Sequence, residues 1–242
     1  MVSRQRICRH TREGSSPLRR FHRTRGWNVS SSSLAWDTEI LTPTFLEYWA
    51  VRYTLPSPHV HWTGVRLARW QGACQDSRVV VCGLAGALSS DLVPGTVLIP
   101  HRVSLADGKE MACDPTLVDA FTTAARALDV PLDTRPLLTS QSLIVGNDRL
   151  SWEQRGFIAA DMETGLLRGQ NLRVATIRVV LDTPTHDLAL NWLHPLGALA
   201  QPRLWEQMFW LSWVAPRNAL LAAQVLKIGL GAEPACVSPK FR

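Results

Sequence analysis

Two carboxylates stand at the ends of apolar segments in the stretch Ala159–Pro184, AADMETGLLRGQNLRVATIRVVLDTP. Glu163 falls where an apolar strand end, Gly156 to Ala160, turns through Asp161 and Met162 into a short helix. Asp182 falls where the alternating, β-branched segment Val174–Leu181 stops. Carboxylates so placed can accept hydroxyl protons or work as acid and base, and in an open α/β sheet the strand ends line the ligand crevice. A structural role fits the same spacing. Glu163 would then be a first-turn residue favoured by the helix macrodipole, and Asp182 the start of a turn before Pro184. Spacing leaves both readings open.

Other chemistries are less well served. The Gly83-Leu84-Ala85-Gly86 turn after the RVVVCG run lacks the third glycine of a dinucleotide fingerprint and the Lys-Ser/Thr of a P-loop. No Gly-x-Ser-x-Gly elbow occurs, and no cysteine has an evident His partner. His59 and His61 are two apart, as metal ligands on one strand face can be. No carboxylate, Cys or third His lies near them in sequence, so they read as a solvent-facing pair and no metal is expected. Acid/base work by carboxylates at strand ends is left, and no cofactor is implied.

The elements that must position such groups alternate between strand and helix patterns. A short strand is predicted near Ile40-Leu41, then a helix over FLEYWAVRYTL with Glu47 in its first turns, a strand over His59–Trp62 and a second short helix from Gly64 through Trp70. RVVVCG reads as a buried parallel strand ending in the glycine-rich turn Gly83–Ala87, and GTVLIP as another apolar strand. Asp114-Pro115 caps a helix with a 3.6-residue stripe of Leu117, Val118, Phe121, Ala124, Ala125 and Leu128. PLLTS (136–140) and SLIV (142–145) add strand material. Residues 188–230 read as two nearly all-apolar helices separated at Pro216, with Trp192, Trp205, Trp210 and Trp213 expected in core packing. The pattern predicts an α/β fold, a three-layer α/β/α sandwich on a central mixed, largely parallel sheet.

The 242 residues allow one large domain or two small ones. The net charge of +6 belongs to one end: residues 1–26 hold eight Arg and one Glu, and the remainder carries 18 basic and 19 acidic residues. A near-neutral body argues against a nucleic-acid groove. Residues 1–34 are expected to be a disordered basic extension, 35–232 the folded domain and 233–242 a loose tail. The extension also fits a transit peptide, translated upstream sequence or a nucleic-acid-binding arm. Five scattered cysteines without a C-x-x-C pair suit a reducing, cytoplasmic setting. The longest uncharged stretch, Leu188–Pro202, is broken by Asn191, His194 and Pro195, so no membrane span is expected.

The segments CGLAGALSSDLVPGTVLIP, the later TS, ADMETGLL and IRVVLD occur in the order of the G-S-A-G-G-L…G-D, M-E and V-R-x-x-S-D patterns of the nucleoside phosphorylase and nucleosidase superfamily. The chain resembles that superfamily over roughly residues 38–230. GLAGAL and DMET are most similar to the purine nucleosidase branch, including hopanoid-associated proteins often called phosphorylases. The resemblance implies that Glu163 binds the ribose 2′- and 3′-hydroxyls with Met162 under the sugar. It implies that Asp182 protonates the purine N7, that Arg178 orients acidic groups or the attacking water, and that Glu47 polarises that water. Ala85 and Gly86 would give close backbone approach, and Ile144 and Val145 would offer backbone groups to the base.

The departures bear on the nucleophile. Where the phosphorylases carry an Arg and a hydroxyl to hold phosphate, this chain has Val81, Leu84 and Ala85, so phosphate would meet an apolar wall without charge-assisted donors. Leu181 replaces the Ser before the catalytic Asp, and the helix after Glu163 is about one turn short. The implied protein is a purine nucleosidase that cleaves the N-ribosidic bond of an adenosine-like nucleoside with water. The alternatives are a phosphorylase of the same fold and a catalytically weak nucleoside-binding or hopanoid-associated lipid-pathway protein. Its partner is a small nucleoside, and a homo-oligomer is expected.

Overall fold

The computed structural model describes residues 37–185 and 205–231. The predicted basic extension, the 233–242 tail, and Trp192 with most of its surroundings lie outside the described residues. The chain runs β1 (Thr38–Thr42), α1 (Phe45–Thr54), β2 (Val60–Trp62), β3 (Arg78–Ala87), β4 (Val97–Leu98), β5 (Arg102–Leu105), β6 (Glu110–Ala112), α2 (Pro115–Ala127), β7 (Leu132–Asp133), β8 (Leu137–Thr139), α3 (Asn147–Glu153), β9 (Ala159–Asp161), β10 (Arg173–Asp182) and α4 (Trp205–Gly229). The strands form one ten-stranded sheet of path β6-β5-β8-β9-β3-β10-β4-β7, with β1 beside β3 and β2 beside β1. β3 and β10 pair in parallel along most of their length, and the β3–β9, β4–β10 and β5–β6 pairs are antiparallel. The mixed, largely parallel sheet with flanking helices is the predicted fold class.

Strand alternation sorts the core between two faces. Val80 and Cys82 of β3 and Ala175, Ile177 and Val179 of β10 pack on one face against Val51 of α1, Phe121 of α2 and Ala222 and Leu226 of α4. Val79, Val81 and Val174 point to the other face, onto Leu167 and the half-buried Leu67, Trp70 and Leu172. There the cover is the 63–77 connection and two 3₁₀ turns. Further along that side Leu88, Leu138 and Ile144 pack under Trp152 of α3.

Four elements differ from the sequence expectation. The glycine-rich Gly83–Ala87 is the second half of β3 rather than a turn, because parallel pairing with β10 continues through it. SLIV is not a strand; Ile144 and Val145 lie in the loop that enters α3. The helix from Gly64 to Trp70 reduces to the 3₁₀ turn Val65–Leu67, and Arg66 and Leu67 both take positive φ, near 58° and 56°. Pro216 sits inside one continuous helix, α4, instead of separating two. Its missing N–H removes one ladder bond, while Ala219, Ala222, Ala223 and Leu226 beyond it hold the helix to the sheet. Trp213 and Phe209, before the proline, are 63% and 75% exposed and so are not core residues. Among the described residues no helix is long and apolar enough to cross a membrane.

Candidate active site

β3 and β10 lie side by side with Arg178 opposite Gly83 and Asp182 opposite Gly86, and α1 and the segment after β9 bring Glu47 and Glu163 to them. Thr44 caps α1 in a reciprocal capping box: its Oγ1 accepts from Glu47 N–H at 3.3 Å, and Glu47 Oε2 accepts from Thr44 N–H at 2.6 Å. The second oxygen, Oε1, accepts from Leu84 N–H of β3 at 2.7 Å. Glu47 is 3% exposed and reaches β3 beside Gly83, whose lack of a side chain admits it.

Arg178 of β10 pairs in register with Gly83 and is fully buried. Its Nη2 donates to Asp161 Oδ2 at 2.7 Å and to Glu163 Oε2 at 2.9 Å, and Nη1 donates to Leu84 O at 3.3 Å. Asp161 is held in turn by Thr139 Oγ1 at 2.5 Å, by Thr164 N–H at 3.1 Å and by the Thr164 hydroxyl. Glu163 Oε1 accepts from Arg66 N–H at 3.1 Å, so a backbone donor at a left-handed residue occupies the oxygen not taken by Arg178.

Burial pushes the Glu163 carboxyl above the ordinary glutamate range; Arg178 opposes the rise, while Asp161 and Glu47 add to it. Burial works against the charge on Arg178, yet Asp161, Glu163 and Glu47 together carry its pKa still higher, so the cation persists. Burial, with Glu47 adding, raises the Cys82 thiol far above its normal value, and burial carries Cys113 up to about 12. Neither free thiol is a nucleophile here.

Asp182 lies at the end of β10, where the pairing with β3 slips. Val180 faces Ala85 and Asp182 faces Gly86, which leaves Leu181 as the extra residue of a bulge. Bulges re-aim side chains, and this one sets Asp182 Oδ1 3.1 Å from where a Cβ on Gly86 would lie. Asp182 is buried and ion-paired to Arg149 of α3, which also donates to Ala87 O. The position that carries Ser in the resembled pattern is thus a bulge residue, and Asp182 takes a partner from another element.

The structure brings Glu47, Arg178 and Glu163 into one buried cluster, with Ala85, Gly86 and Asp182 further along the β3–β10 pair. Met162 is half-buried between Asp161 and Glu163; Ile144 is buried under α3 and Val145 half-buried beside it. Sequence reasoning missed Asp161, Thr139, Thr164 and Arg149. Asp161 had a signal, being the first carboxylate of the DMET segment; a lone Arg on a seven-residue helix had none. His59 and His61 do meet a carboxylate: Glu39 of β1 lies 3.6 Å and 2.6 Å from them. Among the described residues no group of His, Cys, Asp and Glu is arranged to hold a metal ion. A cavity of about 480 Å³, lined by Tyr48, His61, Trp62, Arg69 and Trp70 among others, lies beside the Val65–Leu67 turn and does not include the carboxylates.

No family model and no curated sequence matches the chain. Solved structures do. A 5′-methylthioadenosine/S-adenosyl homocysteine nucleosidase from Helicobacter pylori superposes with a TM-score of 0.60 at 12% identity, over 80% of this chain and 97% of that one. The futalosine hydrolase of Helicobacter pylori gives 0.61 at 12% identity, over 83% and 99%. The 5′-methylthioadenosine/S-adenosylhomocysteine nucleosidase of Neisseria meningitidis gives 0.60 at 13% identity, over 80% and 97%. At such identities the likeness is one of architecture: the chain shares the α/β fold of these solved nucleosidases and of the futalosine hydrolase.

Proposed function

We propose that the chain is a nucleosidase that hydrolyses the N-ribosidic bond of a purine nucleoside. The observation that supports this most is the buried Asp161–Arg178–Glu163 cluster with Glu47 across Gly83. Burying charged groups in this density is a poor route to stability, and such clusters concentrate at functional sites. Strand ends line the ligand crevice of open α/β sheets, and the fold shared with solved nucleosidases supports the same reading.

In this reading Glu163 receives the ribose 2′- and 3′-hydroxyls, exchanging the Arg66 N–H contact for substrate. Its negative charge then faces the positive charge that develops at C1′. Glu47, fixed by Thr44 and Leu84, accepts the proton of the attacking water through its remaining lone pairs. Arg178 holds Glu163 in place, and Asp182 stands at the leaving-group side beside Gly86. Water rather than phosphate is the nucleophile, because Val81 and Ala85 are buried and apolar and Leu84 is half-buried. The exposed Phe45, Trp49 and Tyr53 of α1 support the homo-oligomer the resemblance implies, which sedimentation velocity tests.

The deciding experiment measures free base and sugar product from purine ribonucleosides in phosphate-free buffer and again with phosphate. Ribose as the product under both conditions is expected. Strict dependence on phosphate with ribose 1-phosphate as product would make the chain a phosphorylase. Binding by thermal shift without any turnover would make it a binding protein.

A further inference from the structure

Among the described residues β2 is an edge of the sheet, pairing with β1 and with no other strand. Past it the chain turns at Gly64, whose φ is near 73°, and Arg69 N–H donates back to Thr63 O at 2.7 Å. Between that strand and residues 69–72 lies the cavity of about 480 Å³, a volume in the range of small-ligand sites. Tyr48, Trp62 and Trp70 give it aromatic walls, and no carboxylate lines it.

The charges at this cavity are settled unevenly. His61 Nε2 lies 2.6 Å from Glu39 Oε2, so that imidazole and that carboxylate are engaged with each other. Arg69 has no such partner. Its guanidinium lies over the Trp62 ring, 3.9 Å from the centroid, and makes no ion pair or side-chain hydrogen bond among the described residues. An arginine at the surface is ordinarily solvated on all sides. Stacking on an indole covers one face of this one and leaves its in-plane N–H donors unused at the cavity wall.

We propose that this cavity is a second ligand site, separate from the carboxylate cluster, and that it takes a planar aromatic carboxylate. A flat ring packs against the indole and phenol walls. One guanidinium matches one carboxylate in a bidentate pair. A cationic ligand would meet Arg69, and a polyanion would need more cations than the lining supplies. The inference does not rest on the nucleosidase reading.

Isothermal titration calorimetry with three probes tests it. 2-Naphthoate should bind saturably at one site per chain. 2-Naphthamide, with the same rings and no charge, should bind at least about tenfold more weakly, the size of one charged hydrogen bond. Cyclohexanecarboxylate, with the charge and no aromatic face, should be at least about threefold weaker. Arg69→Gln alters an exposed side chain and should weaken 2-naphthoate by about tenfold or more. Glu163→Gln should leave that affinity within about twofold, since Glu163 does not line the cavity. No saturable heat from 2-naphthoate down to about millimolar affinity overturns the proposal. So do equal binding of the amide, an unchanged affinity in Arg69→Gln, or a loss in Glu163→Gln that places the probe among the carboxylates. If Arg69→Gln does not fold, the order of the three probes on the wild type decides.

Discussion

The carboxylate of Glu47 occupies the space that a side chain at position 83 would need. A Cβ on Gly83 would stand 2.3 Å from Glu47 Oε1 and 3.1 Å from Arg178 Nη1. Glu47 is tied at both oxygens by backbone N–H groups of Thr44 and Leu84, so it cannot step aside without breaking one. Gly83→Ala should destabilise the fold by about 1–3 kcal/mol, the usual range for overpacking, and should lower base release at least about 10²-fold. Urea unfolding and a turnover assay read the two effects. A variant with unchanged rate would remove Glu47 from the chemistry.

Glu47→Gln separates the helix cap from the reaction. Glutamine keeps one acceptor oxygen, enough for the capping-box contact, while its amide nitrogen must face the Leu84 N–H, so the variant should lose about 1–3 kcal/mol and stay folded. A general base contributes about 10²–10⁴ in rate, and kcat should fall by that order. If the melting temperature collapses instead while the folded fraction keeps its kcat, the residue is structural.

Arg178 is the only positive charge shown in contact with Asp161 and Glu163 among the described residues. Arg178→Met should cost about 3–5 kcal/mol, as is usual when one partner of a buried pair is removed. Adding Asp161→Asn should restore part of that loss, because the two residues share one network and their effects are not additive. Chemical denaturation of the single and double variants gives the coupling.

The raised pKa of Glu163 has a definite sign in stability. A carboxyl that titrates higher in the folded state than in the unfolded state holds more protons when folded across that window. Stability from this group is therefore present below the unfolded value and is lost as pH rises through the folded one. Glu163→Gln, which cannot ionise, should gain in melting temperature relative to wild type as pH rises above the ordinary glutamate range. Sugar binding should be lost at the same time, the expected trade of stability against function. A wild-type advantage that grows with pH would contradict the burial effect.

The elements with long-range legibility were those whose pattern follows from one side chain's chemistry. The α2 stripe behind Asp114-Pro115 is a helix because cap, N1 proline and 3.6 period agree, and the RVVVCG run is a buried strand because both faces of β3 are covered. Gly83–Ala87 was misread because glycine signals a turn when isolated, whereas here it makes room for Glu47 and Asp182 beside a continuing strand. Pro216 was misread as a break because the packing that holds α4 through it is tertiary.

The order and types of Glu47, Glu163, Arg178 and Asp182 were determined by the sequence, since strand ends, caps and β-branched runs are local properties of the chain. Which groups touch was decided only by the tertiary structure. The β10 bulge that turns Leu181 aside and the reach of Arg149 from α3 to Asp182 depend on register and on segments tens of residues apart. Local propensity carries no information about either, because both depend on which segments lie side by side once the sheet has closed.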